Sequence, residues 1–249
     1  PMTWVWGDYK AGWGENSTYY QYKSNTLLDF YLNYVNEFGI HRIDAMGGYS
    51  WQRFYREEEN TYPNSAARAS ETGEEFYKEG NDYFTESYVI SFFGRLNYSL
   101  LGRYLLTFTL RNDGSSRFSP DNKWGLFPSA AFAWRAIDEP FMEGARNTMS
   151  DLKLRLGYGV TGQQNLGSGD YPWMGRYSYC QACANYFFGD QRVPLIRPLA
   201  YDENLKWEET ATYNAGLDFG FLNNRVSGAV DVYYRKTTDL LNTVGIAAG

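Results

Sequence analysis

Residues 103–135 read RYLLTFTLRNDGSSRFSPDNKWGLFPSAAFAWR, and the beginning of this stretch decides the fold. Apolar or aromatic side chains occupy every second position: Tyr104, Leu106, Phe108 and Leu110. The positions between them are mostly polar: Leu105, Thr107, Thr109 and Arg111. A two-residue repeat is typical of a β-strand with one apolar and one polar face. The stretch therefore predicts a strand that leads into a polar connection.

The same alternation recurs along the chain. It is clear at residues 26–37, 90–99, 104–111, 152–160, 210–219 and 226–234, and weaker at residues 40–55 and 128–136. Most of these segments have about the 9 to 11 residues that a tilted strand needs to cross a bilayer. The sequence thus predicts an all-β, antiparallel protein with about eight strands.

The connections between the predicted strands differ in length. Short turns follow Leu100 and Leu222, and the asparagines after Leu222 tolerate positive φ. Residues 57–84 and 162–205 are long, polar and rich in Gly, Asn and Tyr. Structureless connections above about 12 to 15 residues are uncommon in compact domains unless they are functional. Short turns at one end and long loops at the other are typical of outer-membrane β-barrels, with the turns periplasmic and the loops extracellular.

The composition agrees with a membrane barrel. The 249 residues include 23 Lys and Arg against 29 Asp and Glu, 19% are aromatic, and the mean hydropathy is −0.54. The acidic balance disfavours nucleic-acid binding, and no apolar stretch approaches the roughly 20 residues of a spanning helix. A barrel strand needs only one apolar face, so a spanning protein can remain polar on average.

Tyrosine and tryptophan are expected where strands leave the hydrocarbon layer. The candidates for such interface positions are Tyr98, Tyr104, Trp134, Tyr158, Trp207, Tyr213 and Tyr234. Periodicity alone leaves an alternative open, which is a soluble β-sandwich or β-propeller with an aromatic core.

Three segments resemble the barrel of SusC/RagA-like TonB-dependent outer-membrane transporters. They are residues 103–135, residues 151–164 (DLKLRLGYGVTGQQ) and residues 204–241 (NLKWEETATYNAGLDFGFLNNRVSGAVDVYYRKTTDLL). Ser119 stands where that family often has Gly, and Gln163 where Asn is common. The resemblance implies that residues 1–249 are an internal part of a barrel of about 22 strands. The family's plug domain and barrel-closing strands have no counterpart in the sequence.

The resemblance also implies a function. Such proteins import glycan oligomers or peptides across the outer membrane of Gram-negative bacteria of the Bacteroidota type, with a SusD-like lipoprotein over the barrel and TonB acting through the plug. No bond chemistry and no cofactor follow, so we expect no enzyme. Solutes would pass a polar wall that includes Arg95, Asn97, Thr107, Thr109, Arg111, Lys153, Arg155, Thr212 and Asn214. The alternative is a soluble extracellular β-sheet protein that binds carbohydrate through exposed aromatic side chains.

The second long loop carries candidate substrate-binding residues. Aromatic residues are frequent at positions 171–188. The candidates for substrate binding among them are Trp173, Tyr177, Tyr179 and Tyr186. Flat rings interspersed with amide and carboxylate groups suit the CH faces and hydroxyls of a sugar, or a peptide backbone. Packing within the loop or against a partner protein is the alternative.

A second candidate site lies in the sequence RNDGSSRF at residues 111–118. Arg111, Asp113 and Arg117 offer donors and acceptors for an ion or a sugar. The alternative is a tight bend in which Arg117 pairs with a neighbouring strand. The spacing does not match a calcium-binding loop.

Cys180 and Cys183 form a CxxC sequence. A redox motif would need an adjoining βαβ unit, and a zinc site would need further Cys or His ligands. The remaining interpretations are a small disulfide that holds the loop together or two free thiols. No metal site is expected.

His41 is the single histidine and begins a predicted strand. With one histidine, nearly all catalysis by a Ser or Cys nucleophile with His is excluded.

Overall fold

The computed structural model describes residues 2–7, 14–63, 76–78, 83–164, 170–179, 185–194, 196–199 and 201–240. These residues form 14 strands: β1 (Met2–Gly7), β2 (Gly14–Phe38), β3 (His41–Pro63), β4 (Phe76–Lys78), β5 (Tyr83–Leu100), β6 (Tyr104–Ser115), β7 (Trp124–Arg135), β8 (Met149–Gln163), β9 (Tyr177–Tyr179), β10 (Asn185–Phe188), β11 (Gln191–Pro194), β12 (Ile196–Pro198), β13 (Glu208–Phe221) and β14 (Val226–Thr238). Short 3₁₀ helices lie at Pro120–Asn122, Ala136–Asp138 and Pro140–Ala145. Within the described ranges, no helix is long and apolar enough to cross a membrane.

The chain divides into two compact units. The first comprises residues 1–28 and 52–88, and the second comprises residues 29–51 and 89–249. In the second unit, hydrogen-bonded neighbours follow the order β2, β3, β5, β6, β7, β8, β13 and β14. In the first unit, β1 pairs with β2 and β4 pairs with β3, both antiparallel. The prediction of an all-β, antiparallel protein is therefore confirmed.

The eight predicted strands correspond to the eight long ones, and β1 and β4 extend the sheet. The first long connection starts later than expected, because β3 continues to Pro63. The Glu58 side chain is largely buried, accepts a hydrogen bond from the Tyr19 hydroxyl at 2.8 Å, and pairs with Arg56. These partners let an acidic segment remain in the strand.

Four connections of the second unit meet at one end of the sheet. The Leu101 amide donates to the Ile40 carbonyl at 2.8 Å, and the Arg135 amide donates to the Arg103 carbonyl at 2.9 Å. The Leu222 amide donates to the Thr148 carbonyl at 2.9 Å. We call this the turn end. As predicted, the β13–β14 turn uses positive φ, including Asn223 at 56° and Asn224 at 58°.

The second long connection contains regular structure. Strands β9 and β12 pair with each other, and β10 and β11 form a separate two-stranded hairpin. We call residues 164–207 the arm. Short strands thus lie within the long connection predicted at residues 162–205, and strands of three or four residues are too short to show an alternation in sequence.

Candidate functional site

One face of the sheet is polar and carries all nine predicted wall residues. Hydrogen-bonded register aligns Arg95 with Thr109, Ser129, Gly159 and Thr212 in succession across five strands. The neighbouring row, two residues away, runs through Asn97, Thr107, Ala131, Gly157 and Asn214. Because side chains alternate between faces, Arg111, Lys153 and Arg155 share this side. We call it the polar face.

An ion-pair network lies on the polar face where β8, β13 and β14 are adjacent. The Arg155 guanidinium donates to both Asp218 carboxylate oxygens, with Nη2 2.7 Å from Oδ1, and reaches Asp231 Oδ1 at 2.9 Å. Lys153 Nζ lies 3.8 Å from Asp218. Two cations thus face two carboxylates. Our list of wall residues omitted Asp218 and Asp231, although their positions in the alternation place them on the same face.

The opposite face is apolar and exposed. Its register rows join Leu96, Phe108, Ala130, Tyr158 and Tyr213. The exposed side chains on this face include Phe92, Leu96, Leu106, Phe108, Leu156, Tyr213, Leu217, Val230, Val232 and Tyr234. Water does not stabilise so large an apolar surface, whereas hydrocarbon does. We call this the apolar face.

Aromatic side chains on the apolar face occupy two kinds of position. Tyr98, Tyr104 and Trp134 lie near the turn end, as expected for an interface belt. Tyr158, Tyr213 and Tyr234 instead form a row in the middle of their strands, with ring centroids 4.9 and 6.4 Å apart. Their strand-end placement was therefore wrong, since β8 and β13 continue further on both sides than the alternation indicated, and β14 continues further at its C-terminal end.

The connection between β6 and β7 folds over the end of the sheet opposite the turn end. Phe118 is fully buried and packs on Trp207, with ring centroids 4.7 Å apart, and Trp207 also contacts Phe127 at 5.3 Å. Val160 and Leu205 complete this cluster. Trp207 was expected at a membrane interface. That expectation was wrong, because the side chain is 6% exposed and its Nε1 donates to the Lys123 carbonyl at 3.0 Å.

The predicted polar site does not form a single cluster. Arg111 and Asp113 lie on the polar face of β6, where Arg111 Nε is 2.7 Å from Asp113 Oδ1 and Nη2 donates to Ser91 at 2.9 Å. Arg117 lies in the β6–β7 connection, with Nη2 2.7 Å from Asp170 Oδ1 in the arm. Asp170 had no sequence signal, because the pair is 53 positions apart along the chain.

The predicted aromatic residues lie along the arm. Trp173 is half-buried near its base, and Tyr177 begins β9 with 69% of its side chain exposed. Tyr186 is the second residue of β10 and is exposed, and its ring centroid lies 4.8 Å from that of Phe188. Tyr179 ends β9. Cys180 and Cys183 lie outside the described residues. The arm therefore presents rings on a scaffold of short strands.

His41 and Glu139 both have structural partners. His41 begins β3, stacks on Phe38 and lies with Nδ1 2.7 Å from the Tyr98 hydroxyl. At the turn end, the buried Glu139 carboxylate accepts a hydrogen bond from Trp134 Nε1 at 3.1 Å and faces Arg103 at 3.4 Å. Hydrogen bonds from the Tyr104 hydroxyl and from Trp134 lower the pKa of Glu139, against the opposing effect of burial.

In the part of the chain that the structure describes, no group of His, Cys, Asp and Glu side chains is arranged to hold a metal ion.

An antiparallel sheet with one polar face and one exposed apolar face is typical of the wall of a membrane β-barrel. Residues 3–249 match the model of the family "TonB dependent receptor-like, beta-barrel", and the chain belongs to this family.

Individual relatives agree with this assignment. The chain is 47% identical over 243 residues to the TonB-dependent receptor SusC of Bacteroides thetaiotaomicron, an alignment that covers 98% of this chain and 24% of SusC. It is 37% identical over 243 residues to the TonB-dependent receptor P3 of Formosa agariphila, covering 93% of this chain and 23% of P3. The structure of the RagAB peptide transporter matches with a TM-score of 0.75 and 25% identity, over 94% of this chain and 26% of that chain. The chain therefore spans about a quarter of the length of these relatives.

Proposed function

We propose that the chain forms part of the barrel wall of a TonB-dependent transporter in the outer membrane of a Gram-negative bacterium of the Bacteroidota type. The observation that carries the proposal is the division of the sheet into an apolar face and a polar face. The apolar face contacts lipid, and the polar face lines the solute path. The exposed apolar face disfavours a soluble carbohydrate-binding protein, because such a protein would present that face to water.

The transported solutes are glycan oligomers or peptides, captured at the extracellular end. The similarity to SusC and to the RagAB peptide transporter supports an import role. The exposed rings of Tyr177 and Tyr186 offer flat surfaces for sugar CH groups or for a peptide, as binding sites combine apolar walls with a few polar groups. Trp173, Tyr179, Arg111, Asp113 and Arg117 complete the proposed contact set. A SusD-like lipoprotein closes over the loops, and TonB supplies energy through a plug domain.

The experiment measures uptake by the complete gene product in its own outer membrane. Cells deleted for the gene are complemented with the parent protein, with the double variant Trp173→Ala/Tyr177→Ala, or with the ring-preserving variant Trp173→Phe/Tyr177→Phe. Labelled oligosaccharides and labelled oligopeptides are offered separately. We expect the alanine pair to reduce uptake of one class about tenfold, as one or two aromatic contacts are lost, and the phenylalanine pair to retain most of it.

Membrane fractionation accompanies the uptake assay. Uptake of either class that requires both the gene and TonB supports the proposal. Recovery of the full-length protein in a soluble fraction, or uptake that does not depend on the gene, would contradict it.

A further inference from the structure

The apolar face carries charge only at the end of the sheet opposite the turn end. The structure describes every residue of β6, β7, β8, β13 and β14, and the alternation of side chains assigns each residue to a face. On the apolar side of these five strands, Glu209 and Lys236 are the only charged residues. Lys236 lies two residues beyond Tyr234 and is exposed, and no described residue forms an ion pair with it. The face is therefore free of charge from this end down to the turn end.

Two corners of the apolar face adjoin the turn end. Trp134 is the last residue of β7 on this face. Val226 is the first residue of β14 and follows the polar turn residues 223–225. The register row of Trp134 crosses β8 and β13 and reaches β14 at Val230. The two corners are therefore staggered by four residues.

Two further corners lie at the opposite end. Trp124 is the first residue of β7, is exposed, and stacks on Phe92 with ring centroids 6.2 Å apart. Lys236 is the corresponding charged residue on β14. Its register row crosses β13 and β8 and reaches β7 at Pro128, from which Trp124 is four residues away. The stagger thus has the same size and direction at both ends.

This stagger corresponds to a tilt of the strands. Four residues span about 13 Å along a strand, and the three strand spacings from β7 to β14 span about 14 Å. A plane through both corners therefore requires a tilt of about 42°, within the range of membrane barrels. Trp124 and Trp134 are ten residues apart, as are Val226 and Lys236. At this tilt, ten residues rise about 25 Å, which is the height of the apolar band of such barrels.

We propose that the outer surface of the bilayer meets the sheet along an oblique line from Trp124 to Lys236, and that the Lys236 ammonium binds the phosphate of an outer-leaflet lipid. This inference rests on the proposed function, which places the apolar face in lipid. A lysine at the border of the hydrocarbon keeps its apolar stem against the band and its charge among the headgroups. Phosphate is the headgroup component with the opposite charge. The Trp124 ring, apolar with one polar N–H, suits the same depth.

The oblique line also accounts for the tyrosines in the middle of their strands. Tyr158, Tyr213 and Tyr234 share one register row. At the inferred tilt, each step to the next strand brings this row about 3 Å closer to the outer surface. Tyr234 therefore lies about 5 Å below the line, whereas Tyr158 lies near the middle of the band. Residues that are neighbours across the sheet thus differ in membrane depth.

Two labels on one register row test the line. Leu110 and Ala211 align through Pro128 and Val160, yet the line places Leu110 about 10 Å deeper. Full-length protein with its cysteines replaced by serine receives a bimane dye at Leu110→Cys or Ala211→Cys and is placed in phosphatidylcholine nanodiscs. Lipids with a nitroxide near the headgroup or near the chain end quench the dye according to its depth. We expect the headgroup nitroxide to quench mainly the dye at position 211, and the chain-end nitroxide mainly the dye at position 110.

The outcomes separate this inference from the proposed function. Identical depth profiles at the two positions would overturn the oblique line, although the apolar face would still contact lipid. If no lipid nitroxide quenches either dye, the apolar face does not contact lipid, and the proposed function is overturned as well.

The dye at position 211 also tests the phosphate site, because Ala211 pairs with Lys236. Nanodiscs in low salt contain a small fraction of nitroxide-chain phosphatidic acid or of diacylglycerol with the same chains, which differ only in the phosphate. We expect phosphatidic acid to be enriched about fivefold over diacylglycerol at this dye, the effect of one lysine near an anionic lipid. Lys236→Gln removes the preference, and Lys236→Arg retains it.

The matched control is Arg235→Gln. Arg235 is the adjacent cation along β14 but lies on the polar face, beside Thr212. We expect this variant to retain the preference for phosphatidic acid. Equal quenching by the two lipids in the parent protein, or an unchanged preference in Lys236→Gln, would exclude Lys236 as the phosphate ligand.

Discussion

Phe127 lies between two glycines, and this arrangement determines how tightly the cluster of Phe118, Phe127 and Trp207 can pack. A Cβ atom at Gly162 would overlap the Phe127 ring, and a Cβ atom at Gly125 would overlap the same ring and lie 3.0 Å from Trp207. Because neither glycine has a side chain, the Phe127 ring fits between them. A larger residue at either position would displace the ring.

We expect Gly162→Ala to destabilise the protein by about 1–3 kcal/mol, because overpacking forces the Phe127 ring out of the cluster. The matched control is Gly94→Ala, where a Cβ atom would meet only the Met46 carbonyl at an ordinary 3.7 Å. The free energy of unfolding in urea, measured on full-length protein in detergent, distinguishes the two. Equal stability of both variants would mean that the ring can move aside without cost.

Glu139 makes the turn end sensitive to acid. Its pKa is lowered by hydrogen bonds from Tyr104 and Trp134, so the folded state binds this proton less readily than the unfolded state does. Its stabilising contribution is therefore fully present above the ordinary glutamate pKa of about 4.3 and is lost as the pH falls through the lower, folded-state value.

We expect residues 136–148 to become more accessible to pepsin as the pH is lowered from about 5 to about 3, as the Glu139 carboxylate is protonated. The variant Glu139→Gln cannot titrate and should be cleaved at a rate that varies less with pH. Limited proteolysis followed by mass spectrometry of the full-length protein measures both rates. An identical pH profile for parent and variant would exclude Glu139 as the titrating group.

At the scale of the strands, the network around Arg155 ties β8 to both β13 and β14. Arg155 bridges Asp218 and Asp231 across the two strands. Removing the guanidinium leaves two carboxylates facing each other, with Lys153 Nζ 3.8 Å from Asp218.

We expect Arg155→Gln to lower the free energy of unfolding, since charge-assisted hydrogen bonds are lost and like charges remain. The difference from the parent protein should shrink in about 1 M salt, which screens the two carboxylates. Arg42→Gln is the matched control, because its pair with Glu37 is well exposed and such pairs contribute little. A salt-independent loss would show that the packing of Arg155, and not its charge, stabilises the strands.

The long strands were predictable because alternation persists over many residues in each. Tyr104 to Leu110 shows the repeat directly, and the register confirms which side chains share a face. The position of Trp207 was not predictable, since its partners Phe118 and Phe127 are 89 and 80 positions away. The same reason applies to Asp170 with Arg117. The 3₁₀ helices of the β7–β8 connection, Ala136–Asp138 and Pro140–Ala145, are too short to produce a helical period.

At the scale of the whole molecule, the sheet has an edge and an uncovered face. Strand β14 pairs with β13 alone among the described strands, and Val230, Val232 and Tyr234 are exposed on its apolar side. An unpaired edge beside an apolar surface favours association with other chains.

We expect the isolated 249-residue polypeptide to require detergent and to form a range of oligomers, because the unpaired N–H and C=O groups of its edge strand can form hydrogen bonds with other chains. Size-exclusion chromatography with light scattering in a mild detergent measures the distribution. The full-length protein, handled identically, is the control and should be uniform. A monodisperse monomer of the isolated polypeptide with a cooperative thermal transition would contradict this expectation.

Long side chains on the polar face lie along the sheet, and glycine makes this possible. Arg155 and Asp231 extend across Gly216, where a Cβ atom would come within 2.7 Å of the guanidinium, and Asn214 lies over Gly157 in the same way. A methyl group at either position would lift the overlying side chain by roughly the 1.5 Å of a carbon–carbon bond. In the proposed barrel, these two glycines therefore determine how closely the polar side chains lie to the wall.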